Sequence, residues 1–443
     1  MYTFYNLLLN LAFVVSFPYL LFRAALGKHG VKERMGILPI KRTEDSSLRK
    51  IIWFHAASVG EVKALSTIIP RVSQEHPEYG MVVSTVTKSG KKEAENTLKG
   101  VKLIFYLPVD LKRFMRRALN RIRPVALILV ETELWPNLIR EAKKKGCFVA
   151  AINGRISDRS LRKYLWVKGL FSETLSCFDL LCMQSEEHKK KMILLGADAG
   201  KIAVTGNLKF DRLLYSCDTT DKSDLRRKMS IPDDLKVIIG GSVRSGEEKT
   251  LIGVFKRLKQ RNRCLFLVLA PRHLDRLGDV ERILSDQGLR FIQKSKLDGP
   301  ARELSQKATT SLADKDALLV DTMGELSELY ALADVAFVGG SLVPVGGHNL
   351  LEPAICGVPV LFGPHVDHFK EEARILIESG GGIQVENEED LYLNLSDLLS
   401  NDEKRMDLGR RAKEAVQKQT GASQRTIDLI FSSLERNTPE PCL

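Results

Sequence analysis

Short apolar runs recur along this chain, and each is followed by a polar turn and then by a helical period. The runs fall at residues 51–56, 81–86, 103–107, 127–130, 148–152 and 180–183. After a break the series restarts at 237–240, 265–270, 317–320, 335–338 and 358–361. Strand-length runs alternating with helical periods are the signature of βαβ units, which build parallel sheets covered by helices on both faces. The break, residues 211–228, is polar and rich in Asp, Arg and Lys, with 216–223 the least patterned part, and it reads as a linker. Two parallel α/β domains facing a cleft are therefore expected, consistent with 443 residues at roughly 100–200 per domain. Residues 388–434 continue as helices punctuated by Gly409 and Gly421, and 439–443 read as a loose tail.

The segment before the first run is different. Residues 4–22, FYNLLLNLAFVVSFPYLLF, carry no charge, although Asn6, Asn10 and Pro18 interrupt them. Their length is close to the roughly 20 residues that cross a bilayer. Arg23, Lys28, Lys32 and Arg34 follow, and no small-residue cleavage site is present. The expectation is a single N-terminal membrane anchor, spanning or lying in the interface, with the body on the cytoplasmic side. The boundaries then read 1–25 for the anchor, 26–215 for the first domain and 216–443 for the second.

Charge separates the two halves. The net charge is +12, but residues 1–220 hold 36 Lys and Arg against 20 Asp and Glu, and the remainder holds 31 against 35. A basic half calls for an anionic partner: lipid, acidic substrate or nucleic acid. No nucleic-acid-binding motif is present, which with the apolar N-terminus argues against the last. Lys112, Arg113, Arg116, Arg117, Arg121 and Arg123 flank an apolar stripe of Leu111, Phe114, Met115, Ala118, Leu119 and Ile122. This predicts a basic amphipathic helix ending at Pro124, suited to a membrane surface or a phosphorylated lipid. Residues 161–168 have a similar character. The seven Cys are scattered with no C-x-x-C pair, which argues against a disulfide framework or a zinc site.

In open parallel sheets a ligand sits outside the C-terminal ends of the strands, so the residues following each run are the candidate chemistry. In the first half these are His55-Ala-Ala-Ser58-Val-Gly60-Glu61, Glu131-Thr-Glu133-Leu-Trp135-Pro136-Asn137, Asn153-Gly-Arg155 with Arg159 nearby, and Gly206-Asn207-Leu-Lys209-Phe-Asp211. A carboxylate such as Glu61 at the mouth of a cleft can serve as general base, and it can equally stabilise the first turn of a helix. A guanidinium such as Arg155 suits carboxylate or phosphate.

In the second half, residues 240–248 (GGSVRSGEE) follow a strand and open a helix, an arrangement that presents backbone N–H groups to an anion. They match neither a Walker A loop nor a full G-x-G-x-x-G. Ser242 and Arg244 lie in this loop, and Pro271-Arg272-His273 end the next run. The most specific stretch runs from Gly339 through Gly340, Ser341, Gly346, Gly347, His348 and Asn349 to Glu352-Pro353. Its glycines admit a nucleotide to the backbone, and its carboxylate can hold a ribose diol. Asp314-Lys-Asp316, the one D-x-D, precedes its strand and reads as a surface turn, so no catalytic metal or other cofactor is expected.

Taken in order, HAASVGE, ETELWPN, NGR, GNLKFD, PRH and GGHNLLEPA resemble the Kdo transferases, from the N-terminal segment to about residue 375. These are GT-B glycosyltransferases with two Rossmann-like domains, which move 3-deoxy-D-manno-octulosonic acid (Kdo) from CMP-Kdo to the lipid A precursor at the inner membrane. The resemblance implies an inverting transfer with Glu61 as general base. It implies an acceptor and sugar site of His55, Ser58, Gly60, Glu131, Glu133, Arg155 and Lys209. It also implies a CMP site of Ser242, Arg244, Pro271, Arg272, His273, Gly340, Ser341, Gly346, Gly347, His348, Asn349 and Glu352. Two positions depart from the family: Arg244 stands near where His is usual, and His368 where Asn is usual. A UDP-sugar transferase of the same fold and a non-catalytic nucleotide-binding membrane protein are the rival readings.

Overall fold

The computed structural model describes residues 1–25, 30–39, 50–217, 222–298 and 312–437. Lys28, the tail at 439–443 and part of the linker at 216–223 lie outside the described residues. The chain divides into two compact units, Met1–Arg212 with Gln419–Leu443, and Leu213–Lys418.

The first unit is built on β1 (Lys50–His55), β2 (Tyr79–Thr85), β3 (Leu103–Tyr106), β4 (Ala126–Val130), β5 (Phe148–Gly154), β6 (Leu180–Met183) and β7 (Ile202–Val204). They pair in the order β3-β2-β1-β4-β5-β6-β7, all parallel. The second unit carries β8 (Lys236–Val243), β9 (Leu265–Pro271), β10 (Phe291–Gln293), β11 (Ala317–Leu319), β12 (Val335–Val338), β13 (Val360–Phe362) and β14 (Gly382–Gln384). Their order is β10-β11-β9-β8-β12-β13-β14, again all parallel. A parallel sheet is covered on both faces, so its strands read as continuous apolar runs; β4, for example, is ALILV with all five residues buried. In each sheet the strand order reverses once, between β1 and β4 and between β8 and β12. Such a switch point opens a crevice at the carboxyl ends of its two strands.

Three strands, β7, β10 and β14, were not visible as apolar runs. The expected boundary at 216 also needs amendment, because the C-terminal helix Ala422–Asn437 belongs to the first unit. Its Ile427, Ile430, Phe431 and Leu434 are buried in one core with Ile52, Phe54 and Val62. Asp211, at the end of the GNLKFD motif, accepts from the backbone N–H groups of Gly421 and Ser423 at 2.7 and 2.5 Å. It thus satisfies donors at the start of that helix, which otherwise have no partner.

The N-terminal segment forms one helix, Tyr2–Ala25. The expectation is an anchor that spans or lies in the interface; among the described residues no helix is long and apolar enough to cross a membrane. Polar positions on one face of the N-terminal helix account for its docking. The Tyr5 hydroxyl donates to Asp110 at 2.8 Å, Arg140 stacks 3.9 Å from the Tyr2 ring centroid, and Asn6 is buried. Phe13 packs edge-on against Phe114. One face is thereby docked on the unit, while Phe4, Leu7, Leu8, Leu11, Val14 and Val15 are exposed.

The basic helix forms as expected, Lys112–Ile122, with its apolar stripe buried and Arg123 in the left-handed conformation before Pro124. The supposed surface turn at 314–316 differs. Asp316 is buried and paired with Lys259 and Arg290, because its carboxylate also accepts from the Arg290 backbone at the start of β10. Cys147, Cys177, Cys182 and Cys264 are free.

Candidate active site

In the first unit the switch-point crevice collects carboxylates. β1 ends in His55, which is fully buried. Ser58 stands at the N-terminal boundary of the helix Val59–Leu65 without a side-chain cap bond, and Glu61 lies in its first turn. The Glu61 side chain folds back, accepting from the Ala57 N–H and the Ser58 hydroxyl, both at 2.7 Å. It is 6% exposed. Burial, reinforced by the charges of Glu133 and Glu131, pushes its pKa up to about 7 against the pull of those two hydrogen bonds. A carboxylate of that pKa can take up a proton near neutral pH. A Cβ at Gly60 would meet only the Ser58 hydroxyl, at 3.9 Å, so the protein itself leaves this approach open.

β4 leads directly into Glu131, whose φ of 59° is left-handed without glycine. Backbone strain of this kind costs about 1–3 kcal/mol and gathers at functional sites. Glu131 accepts from Arg155 Nε at 2.8 Å, so the guanidinium expected to bind an anion is here paired with a carboxylate. Glu133 accepts from Trp135 Nε1 at 2.9 Å and lies 3.6 Å from His55 Nε2. Pro136 then opens the helix Pro136–Lys144 in its first turn. Asn153, φ 55°, sits where the register of β5 against β6 shifts. Its Oδ1 accepts from the Leu208 N–H and so ties the NGR motif to the helix Leu208–Cys217. Lys209 is half-buried in that helix.

In the second unit the crevice between β8 and β12 is cationic. Ser242, φ 54°, occupies a register shift in β8. Arg244 follows and reaches two imidazoles: its Nε donates to His348 Nε2 at 3.2 Å, and its Nη1 is 2.5 Å from His273 Nε2. Burial, together with the charge of Arg244 and of neighbouring Arg272, His273 and His368, pushes the His348 pKa down to about 4. That imidazole is neutral at pH 7, with Nε2 as an acceptor. Arg272 is exposed, and Pro271 is buried at the end of β9. Gly346 and Gly347 have φ of 94° and 80°, and a Cβ on Gly346 would lie 2.5 Å from His368 Nδ1. Asn349 Nδ2 donates to Glu352 at 3.0 Å, on the short helix Leu351–Ile355.

Of the backbone N–H groups in the 240–248 and 339–353 loops, four are already taken by Glu247. Its carboxylate accepts from the N–H groups of Arg244, Gly340, Ser341 and Leu342 at 2.8, 2.6, 2.9 and 2.9 Å. Ser341 is also committed, donating to Val338 O and accepting from Gly363 N. Gly340 and Ser341 are thus scaffold for the crevice, while the guanidiniums of Arg244 and Arg272 supply its positive charge, with His273 and His348 beside Arg244. Sequence reasoning passed over Glu247, and also Ser84, a polar residue inside the apolar run of β2. An acid at a helix start and a lone serine in a buried strand were the available signals.

Paired parallel α/β units, each with polar groups gathered at its switch point, define the class of the GT-B glycosyltransferases. Solved structures with this fold include a UDP-N-acetylglucosamine 2-epimerase (TM-score 0.59, 12% identity, 89% of this chain and 98% of that one). A glycosyltransferase from Rickettsia africae aligns with TM-score 0.55 at 14% identity over 88% and 99%. The family described as 3-deoxy-D-manno-octulosonic-acid transferase (kdotransferase) matches residues 29–212. The 3-deoxy-D-manno-octulosonic acid transferase of Chlamydia pneumoniae is 32% identical over 428 residues, covering 96% of this chain and 94% of that protein. A bifunctional glycosyltransferase/methyltransferase of Fusobacterium nucleatum is 36% identical over 392 residues, 87% of this chain, which spans 57% of that longer protein. The chain belongs to the Kdo transferase family.

Proposed function

We propose that the protein transfers Kdo from CMP-Kdo to the lipid A precursor lipid IVA, with inversion at the anomeric carbon and Glu61 as general base. The observation that carries this reading is the buried Glu61 carboxylate at the β1–β4 switch point, poised near neutral pH among other carboxylates. The acceptor hydroxyl gives its proton to Glu61 as its oxygen bonds to the anomeric carbon, and the bond from that carbon to the CMP phosphate oxygen breaks. Departure of the phosphate leaves an oxocarbenium-like centre, and cations fixed around the leaving group stabilise the transition state. Arg244 and Arg272 are placed for that role, with Ser242, His273, Gly346, Gly347, His348 and Asn349 completing the nucleotide site and Glu352 holding the ribose. His55, Ser58, Gly60, Glu131, Glu133, Arg155 and Lys209 line the acceptor and sugar site. This chemistry requires no metal or cofactor.

The second part of the reading is attachment to the cytoplasmic face of the inner membrane. Its support is the exposed row on the N-terminal helix and Trp166, 90% exposed at the end of the helix Asp158–Trp166. Interfacial helices and exposed tryptophans of this kind bury in the headgroup region. Beside the helix lies a cavity of about 430 Å³ lined by Phe13, Val14, Met35, Arg113, Phe114 and Arg117, apolar walls under two guanidiniums. It suits the chain and headgroup of an anionic amphiphile.

Purified protein given CMP-Kdo and lipid IVA should yield, by mass spectrometry, an acceptor heavier by one or more Kdo units. An unchanged acceptor, with a control Kdo transferase active in the same mixture, would transfer the assignment to another nucleotide sugar. Flotation with vesicles containing an anionic phospholipid should recover the protein, and Leu7→Glu with Leu11→Glu should leave it at the bottom. Equal flotation of that variant would remove the helix from membrane contact.

A further inference from the structure

We propose that Ser84, acting through His55, is a positioning residue that fixes which imidazole nitrogen faces the Glu133–Glu61 carboxylate pair and thereby sets the acid–base state of that pair. The inference rests on Glu61 as the base and adds to it a buried relay behind the site.

Ser84 lies opposite His55 in the β1–β2 register, and both side chains are fully buried. Trp53 Nε1, which can only donate, gives its hydrogen to Ser84 Oγ at 2.8 Å. The one proton of the serine hydroxyl is then left for His55 Nδ1, 2.9 Å away. An imidazole that accepts at Nδ1 carries its own proton on Nε2. That nitrogen is buried without a hydrogen-bond partner, and the carboxylate it faces is Glu133 at 3.6 Å. An N–H aimed at a carboxylate is favourable, whereas a lone pair aimed at one is not.

The alternative tautomer is within reach, since the Ser84 carbonyl oxygen lies 3.1 Å from Nδ1. In that form Nε2 would turn a lone pair on Glu133, and the serine proton would lose its acceptor. The hydroxyl therefore selects the tautomer, in the way that the second nitrogen of a functional imidazole is governed by its other hydrogen bond.

Every charged or titratable group near the pair bears on the outcome. Glu61 comes from the helix Val59–Leu65, and Glu131 and Glu133 from the turn after β4. Arg155 neutralises Glu131, and Tyr164, on the helix Asp158–Trp166, feels Glu133. The Glu133 charge helps to hold Glu61 protonated to higher pH. Losing the Ser84 hydroxyl relieves the lone-pair conflict in one of two ways: His55 takes up a proton, or Glu133 does. Either change makes the surroundings of Glu61 more positive, so both lower the pH at which Glu61 ionises.

Two measurements test the relay. Nitrogen-15 NMR of histidine-labelled protein should show His55 protonated on Nε2 and bare on Nδ1; a proton on Nδ1 overturns the proposal. In the pH profile of kcat, Ser84→Ala should move the acidic limb down by about half a pH unit or more, and Ser84→Thr, which keeps the hydroxyl, should restore it. Ser84→Ala also strands the Trp53 N–H and will lower the melting temperature, so a lower Tm with an unmoved limb marks a purely structural role and overturns the proposal. If the alanine variant does not fold, Ser84→Cys, a weak donor of similar size, should move the limb in the same direction, and an unmoved limb there has the same meaning. Failure of the underlying reading is separate: a Glu61→Gln enzyme that retains turnover removes Glu61 as base whatever Ser84 does.

Discussion

Each sheet places a glutamate at the start of the helix that follows its switch-point strand: Glu61 after β1 and Glu247 after β8. Both are buried, at 6% and 1% exposure, and both turn their carboxylates back toward the loop. Glu61 accepts from two donors and feels two acidic neighbours, Glu131 and Glu133. Glu247 accepts from four backbone N–H groups and is fully committed. The same residue at the same topological position is short of donors in one unit and a staple in the other. What separates them is how many hydrogen bonds each carboxylate already makes. A buried carboxylate short of donors holds a proton more readily, as Glu61 does.

Mutation can break this contrast. Glu61→Gln keeps size, with its amide oxygen accepting from Ala57 N–H and its NH2 donating to Ser58 Oγ in reversal of the native bond, but it cannot take a proton, so turnover should fall by about 10²–10⁴-fold while CMP binding stays within a factor of two or so of wild type. Steady-state kinetics beside calorimetric titration of CMP would show it, and near-normal turnover would make Glu61 a second staple. Glu247→Ala should do the reverse. Four N–H groups lose their acceptor, which costs the unit on the order of 1–3 kcal/mol or more, and the loops carrying Arg244 and His348 loosen. CMP affinity should therefore fall by about tenfold or more, with the pH dependence of turnover unchanged. A Glu247→Ala protein that binds CMP normally would show that the loops hold their shape without the staple.

How much of this was legible in the sequence follows from the same physics. The central strands announced themselves because a strand buried on both faces must be apolar throughout, as ALILV is in β4. The three that escaped, β7, β10 and β14, are three-residue strands at the ends of their sheets, where one side is uncovered and length gives no signal. The site residues were legible as motifs because parallel strands fix where a ligand lies. Their roles were less so. Glu61 and Glu247 look alike in a string of letters, and only the count of donors around each carboxylate separates them. Asp211, read beside Lys209 as part of one motif, proves to hold the start of the C-terminal helix from more than 200 residues away in sequence. Residues 4–22 show a related effect: hydropathy treats a helix as uniform, whereas this one docks a polar face and exposes an apolar one.

The finest test of the contrast is the stability cost that a base carries and a staple does not. Glu61 has a folded-state pKa of about 7 against an ordinary 4.5. Below 4.5 the carboxyl is protonated in both states and contributes nothing to the pH dependence. Between 4.5 and 7 the unfolded chain releases the proton that the folded one keeps, so stability falls as pH rises, and above 7 the loss is complete. Glu61→Gln removes this titration. The variant should match wild type near pH 4.5, gain on it through the interval, and be more stable by roughly 1–3 kcal/mol at pH 8. Chemical denaturation at pH 5 and pH 8 gives the comparison. A gap of the same size at both values would mean that Glu61 is already ionised at pH 5 and that its carboxylate, like that of Glu247, is satisfied where it lies. A gap that opens with pH identifies a buried acid held short of donors, the stability cost that the proposed role of base carries.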